Sequence, residues 1–131
     1  MTDASRRCPC GSGLVYGECC EPLHSGARRA ATAEQLMRSR YSAFAVGDIA
    51  YLLSSWHPSS RPGSLELEPD LVWRRLDVLD VVAGGPFDSA GIVEFRAIWR
   101  QGTARGDLHE RSRFVREGGA WSYLDGEAVP D

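Results

Sequence analysis

Every cysteine of the chain falls within one stretch of thirteen residues, Cys8-Pro9-Cys10-Gly11-Ser12-Gly13-Leu14-Val15-Tyr16-Gly17-Glu18-Cys19-Cys20. A segment that short has too little apolar surface to fold by burial alone, so the thiols must supply the cross-link. Cys8 and Cys10 flank a proline in an extended turn, where residues two apart point to the same side. Gly11 and Gly13 permit a tight backbone path around an ion, with amide N–H groups aimed at the sulfurs. Cys19 and Cys20 are neighbours, and both reach one centre only if the chain turns there or enters a helix. Four thiolates closing a tetrahedral structural zinc site account for this spacing. Disulfides fit it poorly, because bridges within either close pair are strained and residues 1–7 lack the apolar core of a secretory leader. A redox-active thiol pair or another thiophilic metal is the alternative. His24 is either a substitute ligand or a solvated loop residue.

Beyond this knuckle, assigned to residues 1–26, the chain of 131 residues leaves room for one ordinary domain over residues 27–131. No apolar run approaches the ~20 residues that span a bilayer, and a cytoplasmic protein with no membrane partner is expected. The net charge of −3 speaks against broad binding to nucleic acid. All 15 basic residues are arginines spread along the chain, which reads as GC-rich coding and not as a functional signal.

Residues 21–31 read as a linker, with Pro22 and Gly26 as breakers. Thr32 and Gln35 have the spacing of a capping box, and Leu36, Met37, Tyr41 and Phe44 recur at helical intervals until Gly47. Asp48 caps a second short helix over 49–54, which Trp56-His57-Pro58 ends. The pattern then switches to strands. Residues 71–83 are rich in Leu and Val, but their apolar phase slips between Val78 and Leu79, implying a bulge or a strand buried on both faces. Across 92–100, Val93, Phe95, Ala97 and Trp99 face one way while Glu94, Arg96 and Arg100 face the other. Further strands are expected over 108–116 and 121–124. Helices followed by a run of antiparallel strands make an α+β order.

Two resemblances rest on these residues. Cys-Pro-Cys-Gly-Ser-Gly, Tyr16 and Cys19-Cys20 resemble the SEC-C zinc motif of the SecA translocation ATPase, although Leu14, Val15, Gly17 and Glu18 stand where that family carries lysines. The resemblance implies a docking device for a protein partner linked to translation or secretion, with acidic and RNA partners disfavoured by the lost lysines. Leu36-Met37-Arg38-Ser39-Arg40-Tyr41-Ser42-Ala43-Phe44, Tyr51-Leu52 and Trp56-His57-Pro58 resemble the YchJ family of small bacterial proteins. That family implies a cystatin-like, nuclear-transport-factor-like cone, with helices packed on a curved antiparallel sheet, and other proteins of this fold form homodimers. Some of its members carry a second zinc motif at the C-terminus, whereas this sequence ends at Val129-Pro130-Asp131.

Such a cone can enclose a pocket for acid–base chemistry or ligand binding. The pocket candidates are Arg38, Tyr41, Trp56, His57 and Arg61. His57 is the candidate general base, or else a histidine that merely hydrogen-bonds at a helix end. On the helical wheel Arg38 borders the apolar face and Arg40 turns away. Arg38 is placed either to clamp an anion at the pocket mouth or to pair with an acid of the sheet. His109, between charged neighbours, reads as part of a solvated strand face. Two functions follow: a cytoplasmic interaction module with structural zinc on Cys8, Cys10, Cys19 and Cys20, or a small-molecule isomerase, dehydratase or hydrolase working through His57. Four thiolates leave no open position for a water nucleophile, so the zinc is expected to be structural.

Overall fold

The computed structural model describes residues 3–130. Its centre is a helix, α2, over Ala33–Val46, preceded by a one-turn helix α1, Glu21–His24, and followed by α3, Ile49–Ser54. Thr32 caps α2 by accepting a hydrogen bond from the Gln35 N–H at 3.0 Å. The return bond of the box reaches one residue further back, from the Ala31 N–H to Gln35 Oε1 at 2.6 Å. Gly47 closes the helix with φ 81, the left-handed conformation that glycine adopts without strain. The Asp48 carboxylate then accepts from the Tyr51 N–H and starts α3.

Four antiparallel strands follow in simple meander order: β1 Leu71–Ala83, β2 Ala90–Gln101, β3 Ala104–Glu117 and β4 Ala120–Ala128. The expected slip in β1 is a bulge, with Leu79 left out of the register between Val78 and Asp80. A second bulge at Arg74 separates Trp73 from Arg75. The extra residue puts Trp73 and Leu76 on the same face although they are three apart, and both pack on the core. Val93, Phe95 and Ala97 of β2 join them, as their alternation predicts, and Phe114 and Trp121 complete the inner face. The outer face carries ions: Glu94 accepts from His109 at 2.8 Å and Arg111 at 2.9 Å, and Arg96 pairs with Asp107. The strand face read as solvated around His109 is this charged lattice.

The β4 edge does not face water along its whole length. The His57 N–H donates to the Tyr123 carbonyl at 2.8 Å and the Tyr123 N–H to the Ser55 carbonyl at 2.9 Å, so the chain leaving α3 covers it.

One expectation fails in the supposed linker. Residues 21–24 form α1, with Pro22 in its first turn and Leu23 buried. The knuckle therefore runs directly into a helical element that packs on α2.

Candidate functional site

The knuckle begins with a single bridge pairing Arg7 and Val15, a small loop closed at 2.9 Å by the Cys8 N–H donating to the Leu14 carbonyl. Gly11 and Gly13, with φ 81 and 91, turn the chain inside that loop. A 3-10 turn at Tyr16–Glu18 and then α1 bring the adjacent Cys19 and Cys20 back to the same centre. The four Sγ atoms lie within 4.8 Å of one another. Zn–S bonds of about 2.3 Å place the corners of a tetrahedron ~3.8 Å apart. The separations of 3.6 Å for Cys10–Cys19 and 3.9 Å for Cys19–Cys20 match that edge. All four cysteines are free thiols.

Packed this closely, the sulfurs cannot share protons evenly. Hydrogen bonds from Cys20 and Cys8 pull the Cys10 thiol far below its ordinary range. The partner Cys20 is pushed up by the same contact, and burial pushes Cys19 up to about 11. A dication replaces this single favoured thiolate by four. Polar contacts suited to thiolates surround the group. The Ser12 N–H and hydroxyl reach Cys10 and Cys19, the latter at 3.1 Å, and the buried Ser42 hydroxyl of α2 lies 3.4 Å from Cys8 Sγ. These donors disperse charge on sulfur and hold the ligands in place.

Three further contacts fix the knuckle to α2. Arg38 donates from Nη1 to the Cys10 carbonyl at 2.7 Å and from Nε to Glu34 at 3.0 Å. His24 Nε2 lies 2.8 Å from the Ser39 carbonyl, and its Nδ1 lies 2.6 Å from the Tyr16 hydroxyl. A carbonyl only accepts, so Nε2 carries the proton of the neutral ring and the Tyr16 hydroxyl donates to Nδ1. Both ring nitrogens are engaged, which makes His24 neither a ligand nor a solvated loop residue. It is the bolt between knuckle and helix.

On the other side of α2, a cavity of about 280 Å³ lies against the sheet. Of the five pocket candidates, Tyr41 and Trp56 line it; Arg38, His57 and Arg61 do not. Arg38 is at the knuckle. His57 pairs with Glu117 at 2.8 Å through Nε2 and with Ser59 through Nδ1. Arg61 is exposed and donates twice to the Trp56 carbonyl. The charged groups that do line the cavity are Arg40 and Glu110. The helical wheel turned Arg40 away because Leu36, Met37, Tyr41 and Phe44 fix only one face of α2. Arg40 is instead 6% exposed, with its guanidinium 5.0 Å from the Trp56 ring and 4.7 Å from the Tyr123 ring. The sequence signal for Glu110 was a single acid at alternating phase between Leu108 and Ser112, indistinguishable from its solvated neighbours.

The family model for the YchJ middle NTF2-like domain matches residues 32–126, and the SEC-C motif matches residues 7–22. The chain belongs to the YchJ family. Its relatives include UPF0225 proteins of Corynebacterium glutamicum and Streptomyces coelicolor, each 52% identical, covering 93% and 92% of this chain and 97% and 94% of their own. Among solved structures, a SEC-C motif containing protein from Rhodopseudomonas palustris is similar with TM-score 0.82 and 38% identity, covering 94% of this chain and 98% of its own. Another from Psychrobacter arcticus gives TM-score 0.80 at 27% identity over 100% of this chain and 87% of its own. The cone expected from the family is the fold found, and the cysteine cluster sits where the SEC-C motif lies.

Proposed function

We propose that this YchJ-family protein is a zinc-holding interaction module of the bacterial cytoplasm. The observation that carries the reading is the set of four sulfurs within 4.8 Å of one another, two of their separations close to a zinc tetrahedron's edge, on a segment matching a SEC-C motif. The zinc is structural: four thiolates fill its coordination, and the ion joins a loop and a one-turn helix that have little core of their own. Because Ser42, Arg38 and His24 bind the knuckle to α2, the docking surface is composite. It is the groove between the knuckle and the first turns of α2, lined by Ser12, Leu14, Leu23, Gln35 and Arg38. Leu14 is 50% exposed there, an apolar side chain available to a protein segment of the translation or secretion machinery. The net charge of −3 favours a protein over a nucleic acid as partner. His57 stands away from any pocket in which it could act as an acid or base: its ring is engaged with Glu117 and Ser59 and lines no part of the cavity.

Two measurements test the proposal. Protein purified under reducing conditions should carry one zinc per chain and release four thiols on chelation; metal-free protein with fewer than four titratable thiols after unfolding would replace zinc by cysteine redox chemistry. Proteins retained from lysate by wild type should be lost with Leu14→Asp, which keeps its zinc, and with Cys10→Ser, which does not. Identical retention by all three would sink the docking role.

A further inference from the structure

The cavity on the sheet side of α2 contains a buried cation with unused hydrogen-bonding capacity. Arg40 Nη1 donates to the Leu52 carbonyl at 2.7 Å and to Ser55 Oγ at 2.6 Å, which ties the guanidinium to the end of α3. Among the described residues Nε and Nη2 have no hydrogen-bond partner and no carboxylate forms an ion pair with the group. Every fully buried side-chain nitrogen or oxygen among the described residues has a partner, so these two nitrogens are the ones touched by solvent within the cavity. An arginine stays charged at any physiological pH; Glu110 attracts it across the cavity without forming an ion pair, so the buried charge is compensated only in part. Trp56 and Tyr123 meet edge to face with centroids 5.2 Å apart, and the guanidinium sits in the corner they make, 5.0 and 4.7 Å from the two rings, so its open edge is held before anything binds.

The rest of the cavity defines what would complete this edge. Tyr41, Phe44, Trp73 and Phe95 give it apolar walls. Glu110 supplies the second polar feature. Its Oε2 accepts from the buried Ser112 hydroxyl, and its side chain lies over Gly126, where a Cβ would stand 2.5 Å from the Glu110 carboxyl carbon. A carboxylate so placed, with acceptor capacity remaining, suits a ligand that presents a donor near its own acid group. At about 280 Å³ the space is small for a ligand pocket.

We infer that the cone cavity is a binding site for a small apolar carboxylic acid, whose carboxylate pairs with the open edge of Arg40 and whose 2-hydroxyl or 2-amino group donates to Glu110. The side chain of the acid fills the aromatic walls. The site uses no residue of the knuckle and stands whether or not the docking role does.

The test is isothermal titration of zinc-replete wild-type protein with three probes of similar size: 2-phenylethanol, phenylacetate and 3-phenyllactate. Phenylacetate should bind at least about tenfold tighter than the neutral alcohol, the scale of a charge-assisted pair, and phenyllactate tighter still. Equal affinity for acid and alcohol, or no binding of any probe, would overturn the inference and leave Arg40 as a helix-end strut. Two variants locate the groups. Arg40→Lys should remove most of the preference for acid over alcohol. Glu110→Gln, which keeps the Ser112 contact, should bind phenylacetate more tightly and lose the further preference for phenyllactate. If Arg40→Lys does not fold, the wild-type comparison and Glu110→Gln still decide; a preference for phenyllactate over phenylacetate that Glu110→Gln leaves unchanged would refute the role of the acid.

Discussion

His24 Nε2 donates to the carbonyl oxygen of Ser39 across 2.8 Å, joining the one-turn helix that follows the cysteines to the middle of the central helix. With the Tyr16 hydroxyl on its other nitrogen and the Tyr51 ring 4.7 Å away, this side chain makes knuckle and cone one unit. His24→Ala removes two hydrogen bonds and a packed ring, and should lower unfolding free energy by about 1–3 kcal/mol. Urea unfolding measures this. Zinc content should stay that of wild type; a loss of metal would mean that His24 enters the coordination shell.

Ser42 tests the reach of α2 into the sulfur cluster. Its hydroxyl, wholly buried, is 3.4 Å from Cys8 Sγ. Ser42→Ala deletes an outer-shell donor without touching a ligand, so zinc affinity should fall about tenfold while one ion still binds. Chelator competition reads the difference, and unchanged affinity would reduce Ser42 to a small residue that allows close packing.

Much of this arrangement is written in local signals. The caps at Thr32 and Asp48, the left-handed stop at Gly47 and the bulge at Leu79 each follow from a few adjacent residues. What escapes is the second face of α2. Ser39, Arg40 and Ser42 look like a solvated side because they are polar, yet all three are buried, since the knuckle and the chain after α3 cover the helix where a lone amphipathic helix would meet water. Small serines are what such a doubly covered helix needs, and periodicity measured from apolar residues cannot register them. Of the two readings of His57, the hydrogen-bonding histidine at a helix end is the one found. What no local signal gave is its partner, because Glu117 comes from the end of β3, sixty residues on. Arg38 likewise meets Cys10 and Glu34 and no acid of the sheet.

Two glycines with the same backbone conformation should respond differently to alanine. Gly47 has φ 81 with open space around its missing Cβ, so Gly47→Ala should cost only the left-handed penalty, about 1–2 kcal/mol. Gly84 has φ 75, but a Cβ there would stand 2.7 Å from the Ala33 Cβ and 3.3 Å from the Gly91 Cα. Its carbonyl also accepts from the Ala33 N–H, so it cannot retreat without uncoupling the start of α2 from the sheet. Gly84→Ala should therefore be the worse by at least ~1 kcal/mol in parallel denaturant titrations. Equal losses would show that the turn before β2 yields freely.

The tyrosines give the molecule an alkaline limit. Burial pushes Tyr16, Tyr41 and Tyr123 up to about 12, and raises Tyr51 as well, so all four phenols of the chain stay protonated in the fold after they would ionise in the unfolded chain. A raised folded pKa contributes stability that is whole below the unfolded value of about 10 and is lost as pH climbs towards 12. Arg40 works the other way: burial lowers its guanidinium from 12.5 to about 10, so its cost to the fold is relieved over the same window. Four phenols outweigh one guanidinium, and the urea midpoint should fall steadily from pH 10 upwards. Phenolate absorbance provides the independent check. At pH 11 the native protein should show much less of it than the same protein in urea, and the gap should close as the fold is lost. Native and unfolded samples with superimposable titrations would mean that water reaches these rings, the wall of the cavity at Tyr41 and Tyr123 included.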